Sequence, residues 1–294
     1  MAAVPPELLI VAGALSVQGG AGLATRLIAG YGALPVVAMR IGFSALLLAV
    51  LRPPRRRSLP GDLRDDAVRW AVLLGVVLAA MNAIFYVAIS RIPLGVAVTI
   101  EFWGPLAVAV TGSRRLRDLA WVVLAAAGIY LLAGGRLSAD DLLGVAAAFV
   151  AGGCWATYIL AGGRVARLWP DGRGLSLAML VATAVIVPVT LLGPGFGGLV
   201  AAPLAIGGGL VVALFSSAIP YTLEIAALGR VRSATFGVLM SLEPAIAALV
   251  GLVVLGQLLD LPEVVAIGLV AVASAGASLS ARGLEVAPGE LEAA

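Results

Sequence analysis

The sequence predicts an all-α integral membrane protein whose ten transmembrane helices form two inverted-topology repeats of five helices. Three features predict this class: an apolar composition, ten apolar segments of membrane-spanning length, and an internal repeat that relates the two halves. Of the 294 residues, 62% are hydrophobic and 12% are charged, and the mean hydropathy is +1.11. Soluble domains are about 45–50% apolar and about 25% charged, so this composition excludes a water-soluble fold.

Ten apolar segments lie between charged or Pro/Gly-containing stretches. A helix of about 20 residues crosses the hydrocarbon core of a bilayer, and the segments have about that length. Their loops are mostly short, so neighbouring helices must be antiparallel. The predicted spans are about 8–28, 33–51, 70–90, 93–112, 119–134, 142–162, 175–193, 203–228, 233–256 and 263–281.

The distribution of arginine between alternate loops predicts the orientation of the helices. Basic loops remain in the cytoplasm, and all 19 basic residues are Arg. We therefore expect both termini to be cytoplasmic in a multi-pass protein of the bacterial inner membrane. One side collects Arg52, Arg55, Arg56, Arg57, Arg64, Arg69, Arg114, Arg115, Arg117, Arg164, Arg167, Arg173, Arg230, Arg232 and Arg282, and the other has Arg26, Arg91 and Arg136.

An ungapped internal alignment relates spans 3–4 to spans 8–9. It pairs Arg91 with Arg230 and Pro105 with Pro244, and the first span of each half contains a Gly-Gly pair. Because five helices per half is an odd number, the second half must enter the membrane from the opposite side, as in many transporters. The predicted units are a first repeat over 1–137, a second repeat over 138–282 and a cytoplasmic tail over 283–294.

Four charged side chains fall inside the predicted spans: Arg40, Glu101, Glu224 and Glu243. Each costs about 2.5–3.5 kcal/mol on insertion scales, so each needs a partner or a function. One interpretation is a salt bridge or polar clasp that only holds helices together. The other follows from the surplus of carboxylates, which can bind and release protons or accept a substrate ammonium.

Two prolines lie close to these glutamates and are expected to interrupt their helices. Pro105 follows Glu101 in span 4, and Pro244 follows Glu243 directly in span 9. A proline frees backbone carbonyl groups of the preceding turn, and such carbonyls can coordinate a substrate near the midplane.

Polar and aromatic side chains cluster at a similar depth and are the candidate substrate-binding residues. Glu101 and Trp103 are separated by about 200° of helix, so only one of them can point fully inward. The candidates are Ser16, Gln18, Asn82, Tyr86, Trp103, Trp155, Tyr158 and Tyr221.

Several segments resemble the EamA-type branch of the drug/metabolite transporter superfamily, in particular the bacterial threonine/homoserine exporters. They are SVQGGAGLA in span 1, PLGVAVTIEFWGPLAVAV in span 4, GGCWATYILAG in span 6, and AIPYTLEIAALGR followed by FGVLMSLEPAIAAL in spans 8–9. The resemblance implies an exporter of small amino acids that uses the proton gradient, with spans 1, 3, 4, 6, 8 and 9 around a central cavity. The chain contains no His, so carboxylates would have to carry the protons.

We therefore expect a zwitterionic amino acid to bind between charged groups. Its ammonium would meet Glu101, Glu224 or Glu243, and its carboxylate would meet Arg40 or donors such as Gln18 and Asn82. Tyr86 and Trp103 would shape the side-chain pocket.

Other cargoes and other classes of protein remain as alternatives. The nearer alternative is another amino acid, such as an aromatic one or methionine, or another small metabolite or drug. The farther one is a membrane scaffold or enzyme, against which the sequence offers no nucleophile constellation, phosphate loop or metal-ligand cluster. The single cysteine, Cys154, lies in an apolar stretch. We expect no metal, no cofactor and no nucleic-acid partner; the oligomeric state is left open.

Overall fold

The structure, a computed structural model, describes residues 4–54, 65–111, 119–133, 139–191, 202–228, 230, 236 and 239–282. Within these ranges the regular structure is helical. The first half contains α1 (Pro6–Tyr31), α2 (Ala33–Leu51), α3 (Asp66–Ile89), α4 (Leu94–Glu101), α5 (Trp103–Thr111) and α6 (Leu119–Ala133). The second half contains α7 (Ala139–Leu168), α8 (Arg173–Leu191), α9 (Pro203–Ala213), α10 (Ile219–Leu228), α11 (Glu243–Leu255) and α12 (Leu261–Arg282).

These helices correspond to the ten predicted spans. Within the described residues, six helices are long and apolar enough to cross a bilayer, and four shorter apolar helices occupy the remaining predicted positions. Large apolar side chains cover the outside of the bundle, as the exposed fractions of Leu204 (92%) and Val253 (73%) illustrate. Such a surface is stable only in contact with lipid. The predicted fold class of a multi-pass all-α membrane protein is therefore confirmed.

Three of the predicted spans are interrupted rather than continuous. In span 4, Phe102 separates α4 from α5, three residues before Pro105. In span 9, α11 begins at Glu243 after a turn at Ser241 and Leu242, with Pro244 in its first turn. In span 8, a π-helical segment (Leu214–Ala218) joins α9 directly to α10. We use "span 8" below for α9, this π segment and α10 together.

The packing of the helices repeats when the two halves are exchanged. In the first half, α3 packs against α7 and α8, and in the second half the equivalent span 8 packs against α1 and α2. The pairs α2 with α8, α4 with α11 and α6 with α12 bring each helix against its own counterpart. A two-fold relation between the halves produces this pattern, because counterparts meet at the symmetry axis. The predicted unit boundary at 137/138 and the tail over 283–294 lie outside the described residues.

The described arginines at the helix ends separate into two groups. At one end, the Nε1 of Trp169 donates to the Ala67 carbonyl (3.1 Å), Arg164 lies over the ring of Trp70, and Arg230 donates to Val4 O (2.9 Å). These contacts join the N-termini of α1 and α3 to the C-termini of α7 and α10. We call this the arginine-rich end; it contains Arg52, Arg69, Arg164, Arg167, Arg173 and Arg230.

The opposite end has fewer arginines. There Arg26 donates to Val254 O, and Gln257 Oε1 accepts from the backbone of Leu94 at 3.1 Å. The arginines predicted at 55–57, 64, 114, 115, 117, 136 and 232 lie outside the described residues.

The Gly-Gly pairs of α1 and α7 each contain one glycine at a close helix contact. A Cβ at Gly20 would lie 2.8 Å from the backbone nitrogen of Ser216, and a Cβ at Gly152 would lie 2.5 Å from the Glu101 carbonyl oxygen. A Cβ at Gly19 meets nothing within 4 Å, and one at Gly153 makes ordinary contact with Trp103 at 3.5 Å. The close helix packing therefore depends on the second glycine of the α1 pair and the first of the α7 pair.

We predict that Gly20→Ala and Gly152→Ala each destabilise the protein by about 1–3 kcal/mol, because the added methyl group overlaps backbone atoms of the facing helix. Gly19→Ala and Gly153→Ala are the matched controls and should behave like the wild type. Thermal unfolding of the four variants in the same detergent measures the effect. Equal stability within each pair would contradict the packing described above.

Candidate functional site

A cavity lies in the middle of the bundle. Its volume is about 60 Å³, so in this state it is a narrow cavity with room for a few water-sized groups. Polar and charged side chains from spans 1, 2, 3, 4, 6, 8 and 9 converge on it. The lining residues are Val17, Gln18, Ala21, Arg40, Met81, Asn82, Phe85, Glu101, Trp155, Tyr158, Tyr221, Glu224 and Glu243.

Arg40 of α2 is buried and is held mainly by span 8. Its Nε donates to Ser217 Oγ at 2.7 Å, and its Nη2 donates to the Ser216 carbonyl and to the Tyr221 hydroxyl, the latter at 3.2 Å. Its Nη1 donates to the Tyr86 hydroxyl of α3 at 3.1 Å. The guanidinium therefore joins α2, α3 and span 8 at one point beside the cavity.

Pro220 explains why span 8 offers acceptors to these donors. In the π segment the Ile219 N–H bonds to the Leu214 carbonyl, five residues earlier. The next residue, Pro220, has no N–H, so neither the Phe215 nor the Ser216 carbonyl receives a bond from it. Ser16 Oγ donates to Phe215 O at 2.7 Å, and Arg40 donates to Ser216 O. Side chains of α1 and α2 thus replace the backbone donor that the proline lacks.

Two further hydrogen-bonded pairs fix the polar wall of the cavity. The amide group of Asn82 and the hydroxyl of Tyr221 bond to each other, with Nδ2 donating to the hydroxyl at 2.9 Å. The Tyr158 hydroxyl donates to Glu224 Oε2 at 2.8 Å. The Asn82–Tyr221 pair joins α3 of the first half to α10 of the second, and the Tyr158–Glu224 pair joins α7 to α10 within the second half. The two pairs are in contact, because the ring of Tyr158 packs at a tilt against the ring of Tyr221, with 5.7 Å between the ring centroids.

Arg40 has no carboxylate within 4 Å among the described residues, and its neighbours there are hydroxyl and carbonyl oxygens. The interpretation of Arg40 as one half of a salt bridge therefore does not describe this structure. A buried charge without a neighbouring counter-charge is costly. The carboxyl groups of Glu101 and Glu224 line the same cavity at longer range, and an anionic group that enters it would approach the guanidinium more closely.

Unsatisfied acceptors lie on the same cavity. Glu101 and Glu243 are buried, and their carboxyl groups form no hydrogen bond with the side chains or backbone of the described residues. Gln18 is 4% exposed, and its Oε1 has no hydrogen-bond partner in that part of the chain. Because α4 packs against α11, Glu101 and Glu243 approach the cavity from one helix pair, whereas Arg40 approaches from α2.

Three of the predicted binding residues, Trp103, Ser16 and Tyr86, do not line the cavity. Trp103 stacks on Phe149 and donates from Nε1 to the Phe149 carbonyl at 2.7 Å, so it binds to the outer side of α7. Glu101 is thus the member of that pair that points inward. Ser16 faces an outer groove between α1 and span 8 and is bound to Phe215. Tyr86 does not line the cavity and instead supports Arg40 from behind.

Sequence reasoning missed two of the residues that hold Arg40, Ser216 and Ser217. Ser216 and Ser217 are adjacent small polar residues inside an apolar span, four and three residues before Pro220. A proline inside a predicted span, with polar residues in the preceding turn, is the sequence pattern that indicates unpaired backbone carbonyl groups at this point. The apolar lining residues Met81 and Phe85 were also missed, because they resemble ordinary core positions.

The described residues contain no group of three or more His, Cys, Asp or Glu side chains that could hold a metal ion. The chemistry of the cavity is instead that of a polar binding site. It offers a guanidinium, amide and hydroxyl groups, and the carboxyl groups of Glu101, Glu224 and Glu243.

Comparisons with known proteins point to one family. Residues 142–279 match the family model of the EamA-like transporter family. The threonine/homoserine exporter RhtA of Escherichia coli (strain K12) is 41% identical over 283 residues, which cover 95% of this chain and 92% of that protein. The protein of the same name from Salmonella typhimurium (strain LT2) is 38% identical over 279 residues, covering 94% and 92%. A crystal structure of another protein aligns with a TM-score of 0.64 at 19% identity, covering 95% of this chain and 98% of its own.

We predict that Arg40→Gln destabilises the protein by about 1–3 kcal/mol, because the buried Ser216 carbonyl loses its donor. The loss should be smaller in a Pro220→Ala background, where residue 220 regains an N–H that can bond to Phe215 or Ser216. A double-mutant cycle measured by thermal or denaturant unfolding in detergent tests this coupling. If the two changes were strictly additive, the proposed link between Arg40 and Pro220 would be wrong.

Proposed function

Because the chain belongs to the EamA-like transporter family, we propose that it exports small neutral amino acids of the threonine/homoserine type. The observation that carries the proposal is the composition of the central cavity. It combines a buried guanidinium that has no carboxylate within 4 Å with two carboxyl groups that receive no hydrogen bond, in both cases as far as the described residues extend. The relatives named above, which align along nearly the full length of the chain, are threonine/homoserine exporters.

A zwitterionic amino acid complements these groups. Its carboxylate supplies the counter-charge of Arg40 and can also accept from the Asn82 amide. Its ammonium donates to Glu101, Glu243 or the free Oε1 of Gln18. Binding thus pairs buried charges that are otherwise separated in a medium of low dielectric constant.

The apolar part of the wall sets the size and character of the side chain that fits. Trp155 packs edge-on against Phe102 at 5.1 Å between ring centroids, and Met81 and Phe85 complete this wall. The same apolar surface would accommodate methionine or an aromatic amino acid. Competition of these amino acids with labelled threonine in proteoliposomes separates a narrow exporter from a broad one.

Proton antiport is the coupling mechanism that these residues favour. Glu101, Glu224 and Glu243 are the acidic residues that line the cavity, and an ammonium and a proton compete for the same carboxylate oxygens. Protonation from the outside would release the cargo, and deprotonation toward the cytoplasm would restore the binding site. The alternation of the two halves then moves the site between the membrane faces.

The distribution of arginine supports an inner-membrane orientation in which the arginine-rich end faces the cytoplasm. With ten spans, both termini then lie on the cytoplasmic side. Export is therefore movement of cargo from the arginine-rich end toward the end that contains Arg26 and Arg91.

We predict that Glu243→Gln abolishes the protection that the protein gives to bacterial cells grown with toxic concentrations of threonine or homoserine. The amide keeps the shape of the side chain but cannot exchange a proton or neutralise an ammonium. Growth curves and the amount of inserted protein, measured together, test the prediction. Glu7→Gln, a change at an exposed position of α1, is the matched control and should protect like the wild type. Full protection by Glu243→Gln would remove this residue from the mechanism.

A further inference from the structure

A second cavity lies at the arginine-rich end, between the end of α2, the α7–α8 turn and α10. Its volume is about 420 Å³. We call it the vestibule, and the lining residues that matter here are Arg52, Trp169, Asp171, Gly172, Thr222 and Arg230. None of them lines the central cavity.

The α7–α8 turn is a fixed wall of the vestibule. The Gly172 N–H donates to the Trp169 carbonyl at 2.9 Å, and Pro170 occupies the second position of this four-residue turn, where its restricted φ is favourable. Gly172 has a φ of 75°, which only glycine adopts without strain. The Trp169 indole donates to Ala67 at the start of α3 and so ties the turn to the first half.

The charge of the vestibule is positive where cargo would pass. The Arg52 guanidinium lies directly against Gly172, where a Cβ would overlap its Nη1, and it forms no hydrogen bond with the described residues. Asp171 already accepts from the Arg173 backbone N–H at 3.1 Å and forms an ion pair with the Arg173 side chain at 3.4 Å. Asp171, the acidic residue of the turn, is therefore already paired with Arg173 rather than with Arg52.

Helix α10 lies between the vestibule and the central cavity and contributes side chains to both. Tyr221 and Glu224 of α10 face the central cavity, whereas Thr222 of the same helix faces the vestibule. Between the two cavities, Tyr158 is hydrogen-bonded to Glu224, and a Cβ at Gly162 would lie 3.0 Å from Ile225 Cδ1. The contact between α7 and α10 thus lies between residues of the vestibule and residues of the central cavity.

We propose that the vestibule is a second binding site for the cargo, in which Arg52 binds the carboxylate of the amino acid before the α7–α10 contact opens. This inference rests on the proposed export of amino acids. The cargo then meets two guanidinium groups in sequence, Arg52 at the cytoplasmic surface and Arg40 in the central cavity. The first attracts the carboxylate from water, and the second binds it inside the membrane.

Uptake of labelled threonine into inside-out membrane vesicles tests the inference, because the arginine-rich end then faces the bath. At about 0.05 M salt, Arg52→Gln should raise the KM about threefold to tenfold and leave the maximal rate unchanged. At about 1 M salt, where charges are screened beyond about 3 Å, the difference in KM between the two proteins should become smaller because only the direct contact remains. Arg52→Lys, which keeps the charge, should remain close to the wild type.

Arg167→Gln is the matched control. It removes one positive charge from an exposed position at the same end but outside the vestibule, so its KM should equal that of the wild type. An unchanged KM in Arg52→Gln, or an equal rise in Arg167→Gln, would overturn the inference while leaving the proposed function intact. If the Arg52→Gln protein does not insert into the membrane, the wild type alone tests the inference. A wild-type KM that does not vary with salt would overturn it. Absence of threonine uptake by the wild type would refute the proposed function and the vestibule site together.

Discussion

The buried guanidinium of Arg40 and the carbonyl groups that Pro220 leaves unpaired in span 8 depend on each other. Four hydrogen bonds from Arg40 reach Ser216, Ser217, Tyr221 and Tyr86, so one side chain of α2 holds a π-helical segment of the other half in place. Without Arg40 the Ser216 carbonyl would lack this donor in a medium that offers no water, whereas the Phe215 carbonyl is bonded to Ser16. The position of Tyr221, and through it that of Asn82, follows from this interaction.

The same interaction gives the central cavity its polarity. Since the oxygen atoms around Arg40 belong to neutral groups, its positive charge is not neutralised locally by the described residues. Glu101 and Glu243 reach the cavity from α4 and α11, which pack against each other at helix breaks next to Pro105 and Pro244. In the function that we propose, a zwitterion joins these separated charges, and its departure separates them again. A site of this kind can bind cargo tightly in one state and release it when a carboxylate takes up a proton.

Much of this arrangement could be predicted from the sequence, and the remainder has physical reasons. Ten spans and the relation between halves follow from hydropathy and from the spacing of Arg91/Arg230 and Pro105/Pro244. Depth along a helix predicts the positions of Gln18, Asn82 and Glu224 correctly. Depth does not determine which face of the helix a side chain occupies, so the prediction that Trp103 lines the cavity is wrong, and Trp103 binds α7 instead. Ser16 was misjudged because its partner, the Phe215 carbonyl, is a backbone group exposed by a distant proline. Tertiary backbone acceptors leave little trace in local sequence patterns.

The central claim is that both charged ends of an amino acid are bound in the central cavity. Competition with labelled threonine in counterflow, using N-acetylthreonine, which lacks the ammonium, and threonine methyl ester, which lacks the carboxylate, tests this claim most directly. We expect unlabelled threonine to compete and both analogues to fail, because each leaves one set of buried charges unpaired. Competition by either analogue as strong as that by threonine would contradict the account.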